Sequence, residues 1–316
     1  MAEPVELRVG TLSPDGSSGM KILRKGADEI EPRTERRVRM KYFAGGVQGD
    51  ERDMVRKLNL GQLDGAHLTA VGLSLIDESI RVLELPRLFA TAEEFDYVAD
   101  KLWPVLQKRF EAKGFRLQDR GEVGWVHFVS QSELASLAEL KKQKVWLNGD
   151  DTIVRALFKR LGVAGVPLSV PEVQPALTTG RINTAYGSPL TAVALQWNTS
   201  VKYLSSLPMY YQVGGTVMKL DALKQVSAAD QGLITSLSKG MSKTLRKQIR
   251  KDNESAKKQM ERKGVTITAV PPDMIAGFDK AAMEVWKEMT GKVFTKAELA
   301  LVLKYRAEYR AKYPAK

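Results

Sequence analysis

Alternation of apolar and polar positions marks the first element, residues 6–11 of the run ELRVGTL, as a half-buried strand. A turn signal at Pro14, Asp15 and Gly16 follows, and then a helical spacing of apolar residues over 17–30. The same two periods predict a strand at 38–43, a helix at 50–60 and a strand at 65–70. Farther along, 91–113 has a helical pattern that includes Trp103 and Pro104, and strands are predicted at 123–130 and 144–147. Asp150 or Asp151 then stands before TIVRALFKRL, where a carboxylate accepts the free N–H groups of a helix start and Gly162 supplies a left-handed stop. Strands alternating with helices in this way predict an α/β fold.

One long segment breaks the alternation. From Lys239 to Lys263 the chain reads KGMSKTLRKQIRKDNESAKKQMERK, rich in Lys and Arg, with Asp252, Glu254 and Glu261 as its acids. Leu233, Leu237, Met241, Leu245 and Ile249 recur at four-residue spacing and continue at Ala256 and Met260, which predicts a helix with one apolar stripe and a solvated basic face. The alternative use of that face is docking of an acidic partner.

Composition narrows the function classes. With 316 residues and 43% hydrophobic content the chain is long enough for two domains. A net charge of +12 raises nucleic acid or anionic membrane as partners, but no zinc-finger spacing, RNP signature or basic zipper accompanies it, so no nucleic-acid partner is expected. No apolar run reaches the roughly 18 to 20 residues that span a bilayer, so no direct membrane insertion is expected. The start, MAEPVELRVG, lacks the regions of a secretory signal, which leaves the compartment open because such a signal is removed on maturation. There is no cysteine and hence no disulfide framework.

An enzyme would need parts that are missing. The histidines are His67 and His127, and G-x-S-x-G, P-loop and G-x-G-x-x-G motifs are absent, so no catalytic residue and no cofactor is expected. His67 with Asp64 is a weak cation pair, better read as packed strand residues, and no metal is expected. Glu93 with Glu94, and Asp150 with Asp151, stand at helix starts, where negative charge suits the dipole.

Two segments resemble each other. RKLNLGQLDGAHLTAVGLSL and PALTTGRINTAYGSPLTAVAL align Gly61 with Gly180, Leu63 with Ile182, Asp64 with Asn183 and Ala66 with Ala185. Both run from helix end through glycine to strand, and Ser188 with Pro189 suits a helix start. A duplicated α/β lobe implies a cleft between lobes, where small ligands usually bind.

At these residues the chain resembles the solute-binding proteins of tripartite ATP-independent periplasmic (TRAP) transporters. The similarity rests on GGVQGDERDMVRKLNLGQLDGAHLT, VLELPRLF, AELKKQKVW and LGVAGVPLSVPEVQPALTTGRINTAYGSP, in order, over roughly residues 7–270. The resemblance implies a two-lobe, type II-like periplasmic binding protein with crossing hinge strands and a long helix, here 228–263, spanning both lobes. It implies lobes at 4–124 plus 214–252 and at 125–213 plus 253–316, closing by hinge motion near Gly124 and Gly214. It also implies a periplasmic monomer that hands a small-molecule ligand to the membrane subunits of a TRAP permease.

One departure changes the ligand expected. Where the family has an arginine that clamps a carboxylate, this chain has Trp146, and an indole offers an apolar face and one donor in place of a bidentate cation. Trp146 is therefore the candidate wall of an apolar pocket, together with Trp125, Phe128, Tyr186, Tyr210 and Tyr211, and Arg181 is the candidate anion contact. An apolar or aromatic ligand is expected; the alternatives are a small carboxylate held by a displaced cation such as Arg181 or Arg155, or a scaffold or sensor domain that docks through the basic helix.

Overall fold

The computed structural model describes residues 4–314. Its strands in chain order are β1 (Val5–Thr11), β2 (Val38–Phe43), β3 (Gly65–Thr69), β4 (Phe115–Ser130), β5 (Val145–Asn148), β6 (Gly165–Leu168), β7 (Thr184–Gly187), β8 (Tyr203–Ser205), β9 (Tyr210–Lys219) and β10 (Thr266–Thr268). The chain divides into two compact units: the first holds the chain up to Glu78, Trp103–Glu122 and Val213–Lys251, and the second holds Ser79–Leu102, Val123–Gln212 and the chain from Asp252 onward.

In the first unit β1 lies between β2 and β3, parallel to both, and β9 runs antiparallel to β3. Leu7 and Val9, alternate residues of β1, are buried with Met20 and Leu23 of the helix Ser18–Asp28. That helix is shorter than the periodicity predicts; a second, Ile30–Arg33, follows it, with Pro32 inside. The long helix Ala228–Arg262 adds Ile234 and Leu245 to the same core, with Leu237, Met241 and Ile249 partly buried against it. Its buried side is wider than one apolar stripe. Ser238 and Ser242 are also buried, Ser242 Oγ donating to the Arg120 carbonyl at 2.6 Å and Gln118 Nε2 reaching Thr235 Oγ1 at 3.2 Å. A helix turns every 3.6 residues, so a strict four-residue stripe drifts around it: Ile234 is buried where the sequence pattern names Leu233.

In the second unit β5 lies between β6 and β7, parallel to both, while β7 and β8 pair antiparallel with β4 and β10 pairs with β8. The helix Thr152–Leu161 starts on the Asp151 side chain, which accepts from Val154 N at 2.9 Å, and ends at Gly162 with φ 68°. It packs against the helix Pro272–Met289, after which Lys296–Lys312 forms the last helix. Gly124 of β4 takes φ 104°, a conformation that side-chain-bearing residues rarely adopt, and a Cβ there would also press on Asn253 Nδ2 at 2.9 Å, so the position favours glycine.

Two expectations need correction. Strand β4 begins at Phe115, eight residues before the alternation that announces it, because FRLQDRGE buries Gln118, Asp119, Arg120 and Glu122 and so shows no polar face. Ser79–Leu102, placed by sequence in the first lobe, belongs to the second unit, where its Arg81 and Phe95 are anchored.

Candidate functional site

Strand β5 carries Trp146, and both faces of the strand are covered: Val145, Trp146 and Leu147 are all buried. Trp146 Nε1 donates to the Leu168 carbonyl at 2.9 Å, satisfying the only polar atom of the ring. Its indole stacks on Tyr186 (centroids 4.6 Å apart, 24° between planes) and meets Trp197 edge-on at 5.4 Å. Tyr186 packs in turn on Phe158, and Phe158 on Phe128, which meets Phe278. Trp146, Tyr186 and Phe128 are therefore members of one aromatic core, each 4% exposed or less.

A second aromatic group joins Trp125 to Tyr211 edge-on at 4.9 Å, Tyr211 to Phe95 at 4.3 Å, and Phe95 to Phe89 at 5.4 Å. Tyr211 is buried, whereas Trp125 is half-buried and leaves part of its ring open. Tyr210 is buried and close enough to the cluster of Asp151, Glu84 and Arg81 and to the Tyr186 phenol to feel their charges.

That cluster is the feature the sequence reading does not contain. The Arg81 guanidinium, 1% exposed, donates from Nη2 to Asp151 Oδ1 at 2.6 Å and lies 3.1 Å from Glu84 Oε2 through Nη1. Burial alone would lower the Arg81 pKa; Asp151 and then Glu84 outweigh it, and the guanidinium is held charged. Burial, with Asp151 next, raises the phenols of Tyr186 and Tyr210 well above the ordinary tyrosine value, so both stay neutral, and Tyr186 Oη accepts from Asn148 N at 3.2 Å. A signal was present in SIRVLEL, where Arg81 and Glu84 stand three residues apart inside an apolar run and must be paired if buried.

The proposed cations are elsewhere. Arg181 is exposed, and Arg155, also exposed, donates to the Gly149 carbonyl at 2.6 Å and reaches the Tyr186 phenol through its charge, opposing the upward shift of that group. Asp64 is gripped by Arg8, Nε to Oδ2 at 2.8 Å, and His67 Nδ1 lies 2.9 Å from Thr216 Oγ1, so that pair does not converge on a cation. No cluster of three or more His, Asp or Glu suited to a metal occurs among the described residues, and none of their helices is long and apolar enough to cross a membrane. Chemically, the second unit offers one partly open indole, neutral phenols and a buried charge cluster that carries two carboxylates for one guanidinium.

Comparison with known proteins agrees with this fold. The chain is 23% identical over 267 residues to the 2,3-diketo-L-gulonate-binding periplasmic protein of Escherichia coli, covering 83% of this chain and 80% of the relative. A solute-binding protein of Verminephrobacter eiseniae is 23% identical over 243 residues, covering 76% and 72%. Among solved structures, a TRAP periplasmic solute-binding protein of Pseudomonas putida with bound D-glucuronate superposes with a TM-score of 0.88 at 17% identity, covering 98% of each chain. One from Desulfovibrio salexigens with bound orotic acid gives 0.88 at 18%, covering 98% and 99%. The model of the bacterial extracellular solute-binding protein family 7 matches residues 9–292. Proteins of this kind are periplasmic receptors, not enzymes, that bind a small ligand and deliver it to a membrane permease. An α/β chain matched from residue 9 to 292 by that family's model belongs to the solute-binding proteins of TRAP transporters.

Proposed function

We propose that this receptor captures a small solute whose larger part is apolar or aromatic. The observation that carries the reading is the state of the buried cation: Arg81, the buried arginine of the second unit, is balanced by both Asp151 and Glu84, and the family resemblance puts an indole, Trp146, where a carboxylate-clamping arginine is expected. Adding a carboxylate ligand to a cluster that already holds two would be opposed by like charge. Trp125, partly exposed and with Tyr211 set edge-on against it, is the side chain suited to the flat face of a solute, with Tyr211 as its packed support; Trp146, Phe128, Tyr186 and Tyr210 are buried and belong to the interior of the unit. The receptor acts as a monomer in this reading.

A second reading has its own support. Solved relatives hold D-glucuronate, galacturonate and orotic acid, which favours a small-carboxylate receptor whose cation is solvent-facing, such as Arg181 or Arg155. Calorimetric titration with indole, orotate, D-glucuronate and D-galacturonate separates the two, with native mass spectrometry of the freshly purified protein to find a retained solute. Binding of planar aromatic compounds with no response to the uronates supports the first reading. Tight binding of both uronates establishes the second.

A further inference from the structure

The last two helices of the second unit, Pro272–Met289 and Lys296–Lys312, enclose a groove of about 990 Å³ that none of the aromatic candidates or Arg181 lines. Its floor is apolar: Phe89, Met283, Trp286, Leu299 and Leu303. Met283 is 49% exposed, one of few large apolar side chains left open among the described residues. The cations Arg87, Lys287, Lys296, Arg306 and Arg310 line it against a single carboxylate, Asp279.

The charges are unevenly answered. Arg87 pairs with Asp279 at 2.7 Å, Lys287 with Glu284 at 3.1 Å and Arg310 with Glu94 at 2.5 Å. Arg306 has a carbonyl, Leu88 O at 3.0 Å from Nη1, and lies over the Trp286 ring at 5.4 Å; no ion pair holds it or Lys296 among the described residues. Burial, and then the neighbouring Arg310, work against the charge on Arg306, with Glu94 partly offsetting them, and an anion seated here would favour the charge further.

We infer that this groove docks an acidic amphipathic segment of a protein partner. Its dimensions favour a segment over a small solute, because the lining positions from Asp279 to Thr290 cover roughly 16 Å at 1.5 Å per helical residue, about three turns. An apolar floor bordered by cations matches a helix that places Leu or Phe on one side and Asp or Glu on the other. Met283 adds an adaptable contact. The inference is independent of which solute the receptor carries.

The probe is a synthetic helical peptide of about four turns with Leu and Phe at i, i+3, i+4 and i+7 and Glu elsewhere, beside a scrambled peptide of the same composition. Titration calorimetry of the full chain is expected to show binding of the first peptide alone, weakening severalfold between low and moderate salt. Lys287 and Lys296 are exposed, so the double variant K287E/K296E keeps the fold, checked by its melting curve, and loses severalfold in affinity. Met283→Asp, also at an exposed position, does the same through the floor. Equal binding of both peptides, or of both variants and the natural protein, overturns the inference. So does a groove that takes decanoate but ignores the peptide, since it is then a small-molecule site.

Discussion

Arg81 Nη2 and Asp151 Oδ1 are 2.6 Å apart, and both side chains are 1% exposed. The pair fastens Ser79–Leu102 to the start of the helix Thr152–Leu161, because the same Oδ1 accepts from Val154 N. Breaking a buried pair leaves an uncompensated charge, so Arg81→Met, which strands Asp151 and Glu84 together, is expected to cost about 3 to 5 kcal/mol. Denaturant melts measure it, and a double-mutant cycle with Asp151→Asn should show a coupling above about 0.5 kcal/mol. A loss below 1 kcal/mol would mean that water reaches the pair.

Trp146 and Trp125 are expected to answer differently to the same change. Trp146→Ala opens a cavity between Tyr186 and Trp197 and should cost about 3 to 5 kcal/mol of stability. Trp146→Arg, which places there the arginine that the family resemblance leads one to expect, should destabilise at least as much and gain no affinity for D-glucuronate. Trp125→Ala should cost less stability but remove about 1 to 3 kcal/mol of solute affinity. Thermal melting with titration of each variant decides; a well-folded Trp146→Arg protein that binds uronates would show that position 146 faces the solute.

The basic helix divides into solvated and built-in charges. Lys247, Lys251 and Lys258 are exposed, so changing all three to Gln should move stability by less than about 1 kcal/mol in total. Arg250 instead grips the buried Glu122 through Nε and Nη2 at 2.7 and 2.8 Å. Arg250→Met should therefore cost several times more than the triple lysine change, by urea titration.

Acid should act through the histidines. Burial lowers the pKa of His67 and of His127 from 6.5 to about 4. Above 6.5 both folded and unfolded forms are neutral; between 6.5 and 4 only the unfolded chain takes the proton, so stability falls as pH falls through that window, by up to roughly 3 kcal/mol per histidine. Glu51 and Asp119, raised by burial to about 7 and about 6, act in the opposite sense, losing stability as pH rises through those values. The difference between the natural protein and His127→Asn isolates one histidine: the variant's melting temperature should fall less between pH 7 and pH 4.5. Parallel curves would mean that His127 is charged in the folded state.

Local signals carried much of this protein. An aspartate before an apolar helix and Gly162 after it specify a start and a stop through groups a few residues apart; of the two aspartates the sequence offered, Asp150 and Asp151, it is Asp151 that caps, and Gly162 stops the helix as read. The alternation of LRVGTL placed Leu7 and Val9 in a core because a strand turns every second residue to the same side. The family, too, was legible, since its motifs are short runs in a fixed order. What local pattern could not hold was the choice of partner. Nothing near Arg81 names Asp151, 70 positions away, and only the folded chain brings their charges together. Strands of three or four residues, such as β8 and β10, are too short to show a period, and β4 hides its first half because its polar residues are paired inside. Trp146 shows the same division: the sequence placed an indole on a strand, but the stacking of Tyr186 and the carbonyl of Leu168, both distant in the chain, decided what surrounds it.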